Sequence, residues 1–219
     1  MKKTRKILAM AACAILLVCI SVGATVAYLT STDTVTNTFT VGKVEITLDE
    51  AKVTEEGVEV PKADRVQKNE YKLLPGHTYT KDPTIHVDAN SEPCYLFVKV
   101  ENGIAAIEDQ ENTIAQYMMG QNWVALGKDY PNIWFRANDY EPDETPVPAV
   151  HVAGNDVVVF PEFAISGDVL GGTKPDDAAE GALYIEDYKD ATIKITAYAI
   201  QADGFANSTA VEIWKAFNK

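Results

Sequence analysis

The stretch "ATIKITAYAIQA", residues 191–202, decides the fold class. Ile193, Ile195, Ala197 and Ala199 alternate strictly with Thr192, Lys194, Thr196 and Tyr198. A period of two marks a strand with one face on a core, whereas a helix repeats near 3.6. Upstream the same period returns. In "CYLFVKVEN" (94–102), Leu96, Val98 and Val100 give an apolar face, and Tyr95, Phe97 and Lys99 a semi-polar one. "KVEITL" (43–48) puts Val44, Ile46 and Leu48 on one side. "EYKLL" (70–74) and "TIHV" (84–87) also read as strands. Between them "LPGH" (74–77) has Pro75 and Gly76 at the central positions of a type II turn. Proline fixes φ at the first of these, and glycine supplies a positive φ at the second.

The middle of the chain is less regular. "IEDQENTIAQYMM" (107–119) predicts a helix with Ile107, Ile114, Tyr117 and Met118 near one face. "NWVAL" (122–126) and "NIWFRA" (132–137) predict a hairpin around "GKDYP". "YEPDETPVP" (140–148) and residues 167–182 read as loop. "DVVVFPEFAIS" (156–166) is a buried strand interrupted at Pro161, which cannot donate to a ladder and marks a bulge or an edge. In the tail, Thr209 and Glu212 make a capping box, followed by an apolar face of Val211, Trp214 and Phe217. The sum is an all-β chain, expected as an antiparallel jelly-roll-like β-sandwich with a few short helices in the insert and at the C-terminus.

The N-terminus has a different character. Lys2, Lys3, Arg5 and Lys6 precede an apolar run from Ile7 to Val22 and a small-residue site at Thr25-Val26-Ala27. This is the plan of a secretory signal, with cleavage expected between Ala27 and Tyr28 and contact with the membrane only during export. The organisation is then signal 1–27, strand arm 28–42, sandwich 43–206 with an irregular insert 104–189, and a short helix in 207–219. The expected destination is outside the cell, secreted or at its surface.

Residues 1–27 hold four of the 19 Lys+Arg and none of the 32 Asp+Glu, leaving 15 against 32, a net charge of −17. Such a surface does not suit nucleic acid, which needs a basic footprint. Cys13 and Cys19 fall in the signal, so Cys94 alone remains and no disulfide framework is expected.

Chemistry is sparse. His77, His86 and His151 show no metal-ligand spacing, and no nucleophile elbow or phosphate loop is present. No catalytic residue, metal centre or cofactor is therefore expected. "DANSE" (88–92) and "DYEPDE" (139–144) are candidates for weak structural calcium only, since neither follows the EF-hand pattern. Trp123, Tyr130 and Trp134 are candidates for a polysaccharide-binding platform, with aromatic packing as the plainer reading.

Three blocks together resemble the TasA/camelysin family of secreted biofilm-matrix proteins. These are "GATVAYLTSTDTVTNTFTVGKVEITLDE" (23–50), "YKLLPGHTYTKDPTIHVDANSEPCYLFVKVENG" (71–103) and "ITAYAIQADGF" (195–205). The motifs are Ala27 followed by Tyr28-Leu29, then Phe39-Thr40-Val41-Gly42, Leu73-Leu74-Pro75-Gly76, Thr80-Lys81-Asp82 and Val100-Glu101-Asn102-Gly103. Residues 104–189 carry none of the resemblance.

The resemblance implies a Gram-positive origin, processing by a SipW-type signal peptidase, and a jelly-roll subunit that self-associates into biofilm fibres. It also implies that the arm freed by cleavage is donated as a strand to a neighbour. The arm's own chemistry suits this. Thr30, Thr32, Thr34, Thr36, Thr38 and Thr40 form one face, and Val35, Phe39 and Val41 stand on the other. Thr34, Val35, Thr36, Phe39 and Val41 are the expected assembly residues. The competing arrangement pairs this strand within its own sandwich. Rival functions are a monomeric adhesin or carbohydrate-binding module and, less favoured, a camelysin-like metalloprotease. Other matrix proteins or polysaccharide are candidate partners.

Overall fold

A computed structural model describes residues 42–140 and 143–218. The expected signal, the Ala27–Tyr28 cleavage site and the arm to Val41 lie outside the described residues.

The chain is mostly strand in antiparallel sheets, with two α-helices and one short 3-10 turn at Ile185–Tyr188. The strands are β1 (Ile46–Asp49), β2 (Thr78–Thr80), β3 (Thr84–Val87), β4 (Cys94–Asn102), β5 (Trp123–Ala125), β6 (Ile133–Arg136), β7 (Val150–His151), β8 (Asp156–Val158), β9 (Glu162–Ala164) and β10 (Ile193–Gln201). The helices are α1 (Ile114–Gly120) and α2 (Ala210–Phe217). One sheet has the order β1-β3-β8. The other runs β10-β4-β6-β5, with β7 also paired to β4, and β2 and β9 form a separate pair.

The main core takes Ile85, Val87 and Val157 from the first sheet, and Cys94, Leu96, Val98, Val100 and Trp123 from the second. The two sheets therefore face each other across it. Tyr79 and Phe163, from β2 and β9, are part of the same core and stack with centroids 4.9 Å apart. Trp123 is fully buried, and its indole N–H donates to the carbonyl of Val158, 3.0 Å away, tying the second sheet to the first.

Strand β4 is the spine. All nine of its residues pair with β10, from Cys94↔Gln201 to Asn102↔Ile193. Its other edge carries β7 at Cys94–Tyr95 and β6 at Phe97–Lys99. Both faces of its first half are buried. The face expected to be semi-polar is covered by α2, which sets Ile213 and Trp214 on Tyr95 and Phe97 in a second core.

Several expectations are corrected. Residues 70–74 form no ladder strand, although Tyr71 and Leu73 pack on the core. Their backbone is held instead by single bonds, with Lys72 N–H donating to Glu55 C=O (2.8 Å) and Leu74 N–H to the Tyr79 hydroxyl (2.7 Å). Helix α1 starts only at Ile114, because Thr113 caps it with Gln116 in a capping box, and 107–112 is non-helical, with Glu108 bridged to Ile165. In α2 the buried residues are Ala210, Ile213 and Trp214, while Phe217 is 48% exposed. Pro161 separates two strands rather than bending one: β8 pairs with β3 and β9 with β2.

Candidate functional site

Among the described residues, the strand orders leave β1 and β10 as edges of the two facing sheets. Between them lies a groove of about 480 Å³, lined by Ile46–Glu50 on one side and Ile193–Ile195 on the other, with Val66, Lys81 and Pro83 at its end. Ile46, Leu48, Ile193 and Ile195 pack on the main core yet remain half-exposed. They form an apolar floor that no other described residue covers.

The backbone at both edges points into this opening. Bonding direction alternates along a strand. Glu45 C=O accepts from Asp88 N–H (3.0 Å), so the odd residues of β1 bond to β3. The even residues, Val44, Ile46 and Leu48, then direct their N–H and C=O outward. On β10, Gly103 N–H donates to Thr192 C=O (2.9 Å) and Ala202 N–H to Pro93 C=O (2.8 Å), so the even residues face β4. Ile193, Ile195, Ala197 and Ala199 direct theirs outward. An unpaired row of this kind is a template for another strand.

One end of the groove is closed. Glu50 exchanges two backbone bonds with Val66, both 2.8 Å. Its side chain is buried in an ion pair with Lys81, and Oε1 also accepts from Asn69 Nδ2 at 2.9 Å. Outside this stop, Arg65 joins Asp49 to Asp82, the latter at 2.8 Å. His86 sits between Asp49 (3.0 Å) and Asp156 (2.6 Å), so one imidazole spans β1, β3 and β8. Burial pulls the His86 pKa down, but hydrogen bonds to Asp49 and Asp156 outweigh it, and the net shift is upward. Burial likewise pushes Asp49 up, and Arg65 and His86 bring it below the ordinary carboxylate range.

The residues singled out from sequence fall differently. The chain reverses at Pro75-Gly76, with Gly76 at φ 69° and His77 N–H donating to Leu74 C=O (3.3 Å). Trp123, Tyr130 and Trp134 do not make one platform. Trp123 is enclosed, Trp134 packs on the main core, and Tyr130 packs on the second core. Among the described residues no three His, Cys, Asp or Glu side chains are grouped to hold a metal ion. In "DANSE", Ser91 is engaged structurally, its Oγ accepting from Glu45 N–H (3.1 Å). Cys94 is buried, and burial pushes its thiol up to about 11.

The Ile193–Ala199 face packs on the main core as its alternation implies, but sequence reading did not show that the outer edge of β10 is open among the described residues. The alternation was correct, but nothing in it states whether a neighbour covers the outer edge. Among the described residues no helix is long and apolar enough to cross a membrane. Comparison of the chain with protein-family models, with curated proteins and with solved structures gave no match.

Proposed function

We propose that the chain is a secreted, extracellular structural subunit of jelly-roll-like design. It assembles into fibres by accepting residues 28–41 of a neighbouring copy into the groove between β1 and β10. The observation that carries this reading is the groove itself, an apolar floor bordered by two backbone edges that are unpaired among the described residues.

The arm supplies what such a groove lacks. An inserted strand would exchange main-chain bonds with Ile46 and Leu48 on one side and with Ile193, Ile195 and Ala197 on the other. Val35, Phe39 and Val41 on alternate positions would cover the floor, and the threonine face would look out to water. Charge is not an obstacle, because Asp33 is the only charged side chain within 28–41.

The chain's path favours a neighbour's arm over its own. Lys43 C=O accepts from Glu92 N–H (2.9 Å) and Glu45 C=O from Asp88 N–H (3.0 Å). These bonds hold residues 43–45 extended in line with β1. An arm returning to its own groove would have to reverse before Lys43. Donation from one copy to the next does not close on itself, so it propagates a filament.

Negative-stain microscopy of the chain from Tyr28 onward is the test. The full mature chain is expected to form filaments, and one lacking 28–41 to stay folded and monomeric. Ile195→Asp, which places a charge on the groove floor, is expected to abolish filaments while leaving the circular dichroism spectrum unchanged. Filaments formed without 28–41, or a mature chain that remains monomeric, would sink the reading.

A further inference from the structure

Where the groove closes, an amine and an amide meet on one carboxylate. Lys81 Nζ pairs with Glu50 Oε2, and Asn69 Nδ2 donates to Glu50 Oε1 at 2.9 Å. The path of the chain explains the meeting. Glu50 follows β1 and is bridged to Val66, so the returning chain passes it again at Asn69. Lys81 follows β2, where its backbone N–H donates to Pro161 C=O (3.1 Å). The next residue, Asp82, accepts from Ala51 N–H through Oδ1 at 2.6 Å, which sets Lys81 beside Glu50.

The three side chains are held with little freedom and little water. Lys81 and Glu50 are buried, and Lys81 Nζ lies 5.9 Å from the centre of the Tyr71 ring. The Asn69 amide is fixed at both ends. Its Nδ2 also donates to Ala51 C=O (2.8 Å), and its Oδ1 accepts from Val53 N–H (3.1 Å). An ion pair alone would need only the amine and the acid, and burying one costs desolvation. Here the same carboxylate also holds a primary amide whose carbonyl oxygen rests on a backbone donor. A nucleophile, a group that moves protons and a polarised carbonyl carbon are the parts of an acyl transfer.

We propose that Lys81 and Asn69 become joined by an intramolecular isopeptide bond, with Glu50 carrying the protons. The ion pair described above is the arrangement before reaction. One proton passes from Nζ to Glu50, which removes both buried charges and frees the nitrogen lone pair. Nζ attacks Asn69 Cγ, and the carbonyl electron pair moves to Oδ1, where Val53 N–H stabilises it. Glu50 gives its proton to Nδ2 and takes one from Nζ. The Cγ–Nδ2 bond then breaks, and ammonia leaves with the proton from Glu50. One amide replaces another, so no oxidant, reductant or activated co-reactant is needed. The product closes residues 69–81 into a covalent loop. That loop contains Tyr71, Leu73 and Tyr79, which pack on the main core, and the 70–74 stretch that has no ladder of its own. This bond is independent of the assembly reading and would form in a monomer.

Intact mass spectrometry of the folded mature chain is the test, followed by tryptic mapping of the unfolded protein. The chain is expected to be lighter than its sequence by one ammonia. Trypsin is expected to leave Lys81 uncut and to release peptide 69–72 joined to peptide 73–99. Glu50→Gln, which keeps the size of the side chain but cannot take up the proton, is expected to show the full sequence mass and normal cleavage at Lys81. A wild-type chain at full mass overturns the proposal, as does an ammonia loss that maps elsewhere while Lys81 is cut. A linked Glu50→Gln chain overturns the role of Glu50. The wild-type masses decide by themselves if that variant folds poorly.

Discussion

His86 is held by carboxylates on both neighbouring strands, which makes its protonation a matter of stability. Its pKa is raised above 6.5, so the stabilisation is fully present below that value and fades as pH rises through the raised one. Asp49 works in the other direction. Its pKa is lowered from 3.8, and its contribution is present above 3.8 and lost as pH falls through the lowered value. The two together are strongest between these limits. Urea unfolding should show the wild type losing up to about 1 kcal/mol between about pH 6 and pH 9 relative to His86→Thr, the size being limited by solvent screening. Parallel pH profiles for the two proteins would show that the bridge contributes nothing. The Lys81–Glu50 pair is a different case, because both side chains are buried. Lys81→Met should cost about 3 kcal/mol by leaving the buried Glu50 without its cation and with only Asn69 as a side-chain partner, and adding Glu50→Leu should recover much of it. None of these partners was visible in sequence. Glu50 and Lys81 are 31 residues apart, and His86 and Asp156 are 70 apart. Spacing along a chain does not reveal which charges the sheet register will bring opposite one another.

At the scale of elements, the strands with unbroken alternation were the legible ones. Residues 94–102 and 193–201 are strands, paired in full, because each carries a continuous apolar row, buried in the first and packed half-exposed on the core in the second. Residues 70–74 misled for a physical reason. Tyr71 and Leu73 do bury their side chains, but Tyr79 occupies the place where a partner strand would bond. Its hydroxyl accepts from Leu74 N–H and donates to Lys72 C=O, both at 2.7 Å. The turn that brings residues 54–58 against Tyr79 is equally constrained. Gly57 has φ 77°, and a Cβ there would lie 2.6 Å from Tyr79 Cδ1 and 2.9 Å from its Cα. Gly57→Ala should therefore destabilise the chain by about 2 kcal/mol in a thermal or urea melt, whereas the same change at exposed Gly120, which meets nothing within 4 Å, should be near neutral. Helix α1 was foreseen too long because its acidic lead-in looks helical by composition. Thr113 and Glu108 decide the true start, Glu108 Oε1 accepting from the free N–H of Ile114 at 3.0 Å.

For the whole molecule, the sheet class was legible and the groove was not, since an edge is defined by what fails to pair. Under the assembly reading, a chain lacking 28–41 still offers a groove but has no arm to give. Mixed at about one part in ten with the full mature chain, it should end filaments early and shorten them in a dose-dependent way, measured by microscopy. Unchanged lengths would mean that growth does not run through this groove. A chain carrying Ile195→Asp but an intact arm should cap the other end. Together the two variants would assign filament polarity.

The bonds that fix Lys43 and Glu45 to the turn between β3 and β4 also have a mechanical meaning. They extend the β1–β3 ladder, so the first described residues run along the strand axis before any other element begins. Tension applied at Gly42 along that axis loads the whole ladder in shear. Its bonds share the force and must break together, whereas a pull across the strand would break them one after another. A subunit strung in series through its N-terminus would resist stretching as a lap joint does, by the length of the overlap.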